Sequence, residues 1–111
     1  MLLRKQSGRS DNIYRIANLS VDFNTHTVYR DQTPISLSSR EFALLEYLIR
    51  NQGIVLTREK IEQHIWSYDY EGNSNLVDVY IRYLRKKMDE DHSPKLIHTV
   101  RGTGYVLKEN P

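Results

Sequence analysis

The chain has 111 residues, a length that suits one domain with a modest hydrophobic core. It contains no cysteine, which excludes disulfides and thiolate metal sites, and no apolar run approaches the ~18–20 residues of a membrane-spanning helix. The N-terminus lacks the apolar segment of a signal peptide and the formal net charge is only +2, so we expect a soluble protein of a reducing compartment.

The N-terminal third of the chain predicts a small sheet. The first twelve residues lack periodicity, and the polar stretch "QSGRSDN" is typical of a linker. From Leu19 onward apolar and polar residues alternate, which predicts a half-buried strand containing Val21. Two further extended segments follow the turn sequences "NTHT" and "DQTP". Together with "IYRI", they predict an antiparallel sheet of about four short strands.

A change of period then predicts three helices and a hairpin. "SSRE" fits a capping box from Ser38 to Glu41, and the helix that follows is expected to stop at Gly53. "IVLT" is typical of a short extended link, after which Thr57 caps a second helix. The loop "SYDYEGNS" leads to the third helix. Finally, "KLIHTV-RGTG-YVLKE" predicts two strands about a glycine-rich tip.

The third helix has two unlike faces when its residues are placed ~100° apart. The apolar stripe consists of Val77, Ile81, Leu84 and Met88. The opposite face consists of Asn75, Val79, Arg82, Tyr83 and Lys86, with Asp78 and Arg85 at its flanks. We expect the stripe to pack in the core, and Asp78 lies where it can pair with Arg82 one turn further on.

The polar face of this helix is either ordinary solvated surface or a surface that binds a polyanion. "RYLRKK" holds four cations in six residues, and they lie mid-helix as well as in the last turn, where the helix dipole alone would favour them. Val79 among these cations suits a thymine methyl group better than water. Arg101, at the tip of the following hairpin, is placed as if to enter a minor groove. A helix for the major groove beside such a hairpin predicts a winged helix-turn-helix.

Three segments, "SLSSREFALLEYLIRNQGIVLTREKIEQHIW", "SNLVDVYIRYLRKKM" and "IHTVRGTGYVL", resemble the C-terminal DNA-binding domain of OmpR/PhoB-type response regulators. The resemblance covers about residues 14–108. It implies an α+β winged helix-turn-helix with an N-terminal four-stranded antiparallel sheet, a three-helix core and a C-terminal β-hairpin wing. It also implies a bacterial, cytoplasmic transcription regulator of a two-component phosphorelay, and not an enzyme.

The resemblance further implies a domain organisation. Family members carry an N-terminal receiver domain that a sensor histidine kinase phosphorylates. "LLRK" looks like the end of a receiver's last helix. We therefore expect residues 1–12 to be the remnant of an interdomain linker and residues 13–111 to be the winged-helix DNA-binding domain, with the receiver domain absent.

Site residues follow from the resemblance position by position. The recognition helix spans residues 75–88, and its DNA-binding positions are Asn75, Leu76, Val79, Arg82, Tyr83, Arg85 and Lys86. Phosphate-contacting positions are Trp66, Thr99 and Tyr105, whereas Arg101 matches the wing residue that reaches the minor groove. The loop that contacts RNA polymerase matches Ser67, Tyr68, Asp69, Tyr70, Glu71, Gly72 and Asn73.

Two positions depart from the family pattern. Leu76 stands where a small hydroxyl residue is common, and Tyr83 stands where arginine often contacts guanine. Because tyrosine cannot form the bidentate pair that arginine makes with guanine, an operator sequence cannot be transferred from a relative.

The resemblance implies binding to double-stranded DNA as two copies in tandem on a direct repeat. The alternative is a protein-interaction module that uses the basic helix 75–88 against an acidic partner. The N-terminal sheet either covers the first helix or docks a receiver domain or a neighbouring copy. The four histidines lack metal-ligand spacing, and no helix follows "RGTG" to make a phosphate site, so we expect no metal, cofactor or catalytic residue.

Overall fold

In a computed structural model of the protein, the chain divides into two compact units, Met1–Ser36 and Leu37–Pro111. The structure describes residues 12–66 and 75–109. The expected linker remnant, except for its last residue, and the expected RNA polymerase loop lie outside the described residues. No helix within the described ranges has the length and apolar character needed to cross a membrane.

The N-terminal unit is an antiparallel sheet whose strands follow one another in sequence order. The strands are β1 (Ile13–Ile16), β2 (Leu19–Asp22), β3 (Thr27–Arg30) and β4 (Thr33–Ile35). Val21 lies opposite Val28 in the register of β2 and β3, and both side chains are buried, as is Leu19. The predicted four-stranded sheet is therefore confirmed.

The C-terminal unit begins with helix α1 (Ser39–Arg50). Its capping box is confirmed, because Ser38 Oγ accepts from the Glu41 amide at 3.2 Å and Glu41 Oε1 accepts from the Ser38 amide at 2.9 Å. The predicted stop at Gly53 is wrong. Asn51 is the C-cap, and Gly53 (φ +83°) instead donates its amide to the Leu107 carbonyl at 2.9 Å.

Helix α2 (Arg58–Ile65) follows, with Thr57 as its N-cap, as predicted. The link before it, however, is strand β5 (Leu56–Thr57) and not merely an extended connection. The wing strands are β6 (Ile97–Val100) and β7 (Gly104–Leu107). Together with β5, the wing strands form a three-stranded sheet in the order β5-β7-β6. The wing is therefore anchored to the connection between α1 and α2.

Gly104 explains why β5 and β7 approach each other so closely. A Cβ atom at this position would lie 1.9 Å from the Leu56 carbonyl oxygen. Only glycine leaves room for the neighbouring backbone. This glycine in "RGTGY" therefore serves strand packing, whereas Gly102 (φ +78°) serves the turn at the tip.

Helix α3 (Asn75–Met88) contacts both α1 and α2. All four residues of the predicted apolar stripe, Val77, Ile81, Leu84 and Met88, are buried. Because those side chains lie on one side of α3, the opposite side is left at the surface of the unit.

Candidate nucleic-acid interface

The outward side of α3 carries the residues that the sequence assigned to DNA. Arg82 and Lys86 are exposed, as is Asn75 in the first turn, and Tyr83 is 44 % exposed. Leu76 and Val79 are half-buried.

The four cations of "RYLRKK" have two different roles. Arg85 Nη2 donates to Thr99 Oγ1 at 2.6 Å, and Lys87 Nζ lies 2.6 Å from Oε1 of the buried Glu41. These two cations connect α3 to β6 and to α1. Within the described residues, Arg82 and Lys86 make no hydrogen bond or ion pair, so their charges remain available at the surface.

Asp78 does not pair with Arg82, although its position in α3 would allow it. Its Oδ1 accepts from Arg58 Nε at 2.9 Å and from the Tyr105 hydroxyl. Burial opposes ionisation of Asp78, but these two donors outweigh it and hold the carboxyl pKa below its ordinary value. A residue at the start of α2 and one in β7 thus meet on one carboxylate of α3.

Tyr105 is buried inside this cluster, at 5 % exposure. The guanidinium carbons of Arg85 and Arg58 lie 5.4 and 5.7 Å from its ring centroid. Burial, reinforced by Asp78, raises the pKa of the Tyr105 hydroxyl. Arg85, Thr99 and Tyr105, all expected to contact phosphate or DNA, hold the wing against α3.

Trp66 ends α2 as its C-cap residue and is 8 % exposed. The guanidinium of Arg40 lies 5.4 Å from its ring centroid. Trp66 also meets Tyr80 edge to face at 5.4 Å, and Tyr80 meets Tyr83 in the same manner at 5.5 Å. Tyr80 thus lies between Trp66, the expected phosphate contact, and Tyr83, an expected DNA contact. The sequence did not single out Tyr80.

The wing tip is a narrow turn. The Thr103 amide donates to the Val100 carbonyl at 2.9 Å, and Arg101 is exposed between them. In the part of the chain that the structure describes, no contact engages the Arg101 side chain. Arg101 is therefore an exposed residue of the turn at the end of the hairpin.

The segment between α3 and β6 contains a buried acid that the sequence missed. Asp89 directly follows α3 and is only 3 % exposed. Its Oδ2 accepts from the amides of Leu96 at 3.1 Å and Ile97 at 2.9 Å. Lys95 Nζ donates to the carbonyls of Asp89, Glu90 and His92 at 2.7, 3.0 and 3.2 Å. The end of the recognition helix is therefore bonded to the first wing strand.

Comparison with known proteins agrees with this architecture. Residues 32–107 match the family described as "Transcriptional regulatory protein, C terminal". The transcriptional regulatory protein TrcR of Mycobacterium tuberculosis is 48 % identical over 110 residues, which are 96 % of this chain and 42 % of TrcR. The chain thus spans less than half the length of that relative.

Solved structures show the same fold. The response regulator DrrB of Thermotoga maritima, described as an OmpR/PhoB homolog, matches 87 % of this chain and 44 % of its own, with a TM-score of 0.79 and 32 % identity. The RstA DNA-binding domain of Klebsiella pneumoniae was solved in complex with the RstA box. It matches 88 % of this chain and 98 % of its own, with a TM-score of 0.78 and 28 % identity.

The family is one of transcription regulators and not of enzymes. The described residues form a four-stranded sheet, three helices and a three-stranded wing sheet, and the family match covers residues 32–107. The chain therefore belongs to the transcriptional regulatory protein C-terminal family, the winged-helix DNA-binding domains of OmpR/PhoB-type response regulators.

Proposed function

We propose that the chain binds double-stranded DNA sequence-specifically, with α3 in the major groove and Arg101 directed toward the minor groove. One observation carries this proposal: the fold uses Arg85 and Lys87 for its own contacts but leaves Arg82 and Lys86 exposed beside Tyr83. Cations on one helix face that make no ion pair with any described residue suit a polyanion, and the exposed phenol between them suits base edges. The RstA domain, solved with its DNA box, supports the same use of this fold.

Contacts to phosphates complete the proposed interface. Backbone phosphates flank a helix seated in the major groove. Near α3 the candidates for these contacts are Trp66 at the end of α2, Arg85 within α3, and Thr99 and Tyr105 in the wing. Arg85 and Tyr105 already bond within the chain. We propose that they act mainly by fixing the angle between α3 and the wing, and that Arg85 extends its remaining donors to phosphate.

We propose that, in the full-length protein, a receiver domain precedes the DNA-binding domain. A sensor histidine kinase phosphorylates that receiver domain. The chain's coverage of 42 % of TrcR and 44 % of DrrB supports a longer parent protein. Tandem binding to direct repeats, and contact of residues 67–73 with RNA polymerase, belong to the same proposal.

The salt dependence of duplex binding tests the DNA proposal. Log K should fall against log[salt] with a slope of about −0.9 for each phosphate that is neutralised. The double variant Arg82→Ala with Arg101→Ala should bind a selected duplex much more weakly. Salt-insensitive binding, or unchanged binding by that variant, would contradict the proposal. Binding to an acidic protein without any shift of duplex DNA would instead favour the protein-interaction alternative.

A further inference from the structure

The Tyr83 ring packs against a second tyrosine of α3. Tyr80 and Tyr83 lie three residues apart on the helix, and their ring centroids are 5.5 Å apart at an interplanar angle of 66°. Tyr80 is itself packed edge to face on Trp66 at 5.4 Å and 73°. Aromatic pairs of this geometry favour the contacted state by about two- to tenfold beyond area burial. The series Trp66–Tyr80–Tyr83 therefore connects the end of α2 to the outward face of α3.

The exposed Tyr83 carries an apolar ring as well as its hydroxyl, and it has an apolar neighbour. Val79 lies one turn before it on the same face. Arg82 and Lys86, one on either side of Tyr83 in the sequence, supply the charge of the surrounding surface. The middle of α3 thus presents a short apolar strip inside a basic surface.

This strip suits one chemical feature of DNA. Base edges in the major groove present hydrogen-bond donors, acceptors and the C5-methyl group of thymine, and only the last is an apolar group. A tyrosine cannot form the bidentate pair with guanine that an arginine would. Buried contact with one methyl group corresponds to about a fourfold gain in affinity.

We propose that Tyr80 is a positioning residue that orients the Tyr83 ring against a thymine C5-methyl group, so that the operator carries thymine where the middle of α3 lies. The proposal rests on the proposed function, since it requires α3 to occupy the major groove. Tyr80 acts through Tyr83 and does not itself contact the base. Fixing the ring matters because a ring that is free to rotate away from the methyl group would lose the contact.

Removal of single methyl groups tests the proposal. A duplex recovered from a random pool by binding this chain is resynthesised with uracil in place of each thymine in turn. At one or two positions the chain should bind about fourfold more weakly. Tyr83→Ala should abolish this penalty, and Tyr80→Leu should reduce it to less than about twofold. Tyr80→Phe should keep it, because the aromatic ring is retained.

Matched controls separate positioning from general damage. Tyr29, a 40 % exposed tyrosine in β3, provides Tyr29→Ala, which should leave the uracil penalty unchanged. The Tyr80→Leu chain should bind the uracil duplex nearly as well as the wild type does, which shows that it is folded. A full penalty in Tyr80→Leu would overturn the positioning role, and no uracil effect at any position would overturn methyl recognition. Failure to bind any duplex would instead refute the proposed function itself.

Discussion

Arg58 Nε and Asp78 Oδ1 lie 2.9 Å apart, and the Tyr105 hydroxyl donates to the same carboxylate oxygen. One acceptor thereby joins the first residue of α2, the first turn of α3 and the second wing strand. Neither helix packing nor hairpin pairing alone would fix the angle between the recognition helix and the wing. This shared oxygen adds to the constraint that the hydrogen bond between Arg85 and Thr99 supplies.

Replacing Asp78 should therefore destabilise the domain. Asp78→Ala removes two hydrogen bonds to a carboxylate that remains partly exposed, so we expect a loss of about 1–2 kcal/mol in the free energy of unfolding. Urea denaturation measures this value. The control is Glu46→Gln, which breaks the exposed ion pair with Arg50 at 2.7 Å and should cost no more than about 0.5 kcal/mol. Equal losses for the two variants would contradict the role assigned to Asp78.

Stability should fall in acid because two carboxyl groups have lowered pKa values. Burial opposes ionisation of Glu41, but hydrogen bonds from Lys87 and Ser38 outweigh it and lower its pKa, and Asp78 behaves similarly. A folded-state pKa below the unfolded value stabilises the fold above the ordinary carboxyl pKa of about 4, and this contribution disappears as the pH falls through the lower folded-state value.

Thermal unfolding between pH 7 and pH 2 would show this dependence. The double variant Glu41→Gln with Asp78→Asn should unfold with a smaller change in midpoint across the acid range. If the double variant loses as much stability in acid as the wild type, other carboxyl groups carry the effect.

The close approach at Gly104 should tolerate no side chain. Gly104→Ala would force a methyl group into the Leu56 carbonyl, and we expect it to cost about 2–3 kcal/mol of stability. Gly102→Ala is the matched control, because nothing lies within 4 Å of its added methyl group. Its left-handed φ of +78° alone should cost about 1 kcal/mol. Chemical denaturation that ranks the two variants in the opposite order would contradict this account.

Two adjacent lysines should differ in DNA binding although their charges are equal. Lys86 has no partner among the described residues, so Lys86→Gln should make the slope of log K against log[salt] shallower by about 0.9. Lys87 is paired with the buried Glu41, so Lys87→Gln should leave the slope nearly unchanged while lowering stability. Fluorescence anisotropy on one selected duplex measures both slopes.

An equal change of slope for the two lysines would mean that the ion pair with Glu41 does not withhold Lys87 from DNA. Each variant serves as the control for the other, because both replace lysine by glutamine and the two positions are adjacent.

The sequence predicted those features that depend on neighbours along the chain. The stripe from Val77 to Met88 follows from helical periodicity, and the box between Ser38 and Glu41 follows from a three-residue spacing. Both are local, and both are confirmed.

Features that depend on distant partners were missed. Asp78 accepts a hydrogen bond from Arg58, twenty residues away in the sequence, and not from Arg82 on its own helix. The burial of Asp89 was not foreseen, because its hydrogen-bond donors are the backbone amides of Leu96 and Ile97, which leave no trace in composition. Strand β5 has only two residues, too few to show a periodic hydrophobic pattern. The one feature of the sequence that indicated its pairing was Gly104 in the partner strand β7.

The three-stranded wing sheet limits where the hairpin can adapt to its target. Strand β7 is hydrogen-bonded on both edges, to β6 and to β5. The base of the hairpin therefore moves only together with the α1–α2 connection. Residues 101–103 alone are left to adjust to grooves of different width. Substitutions near Leu56, far from any proposed DNA contact, should therefore change how far Arg101 reaches, and selection for a new operator could act on that distant connection.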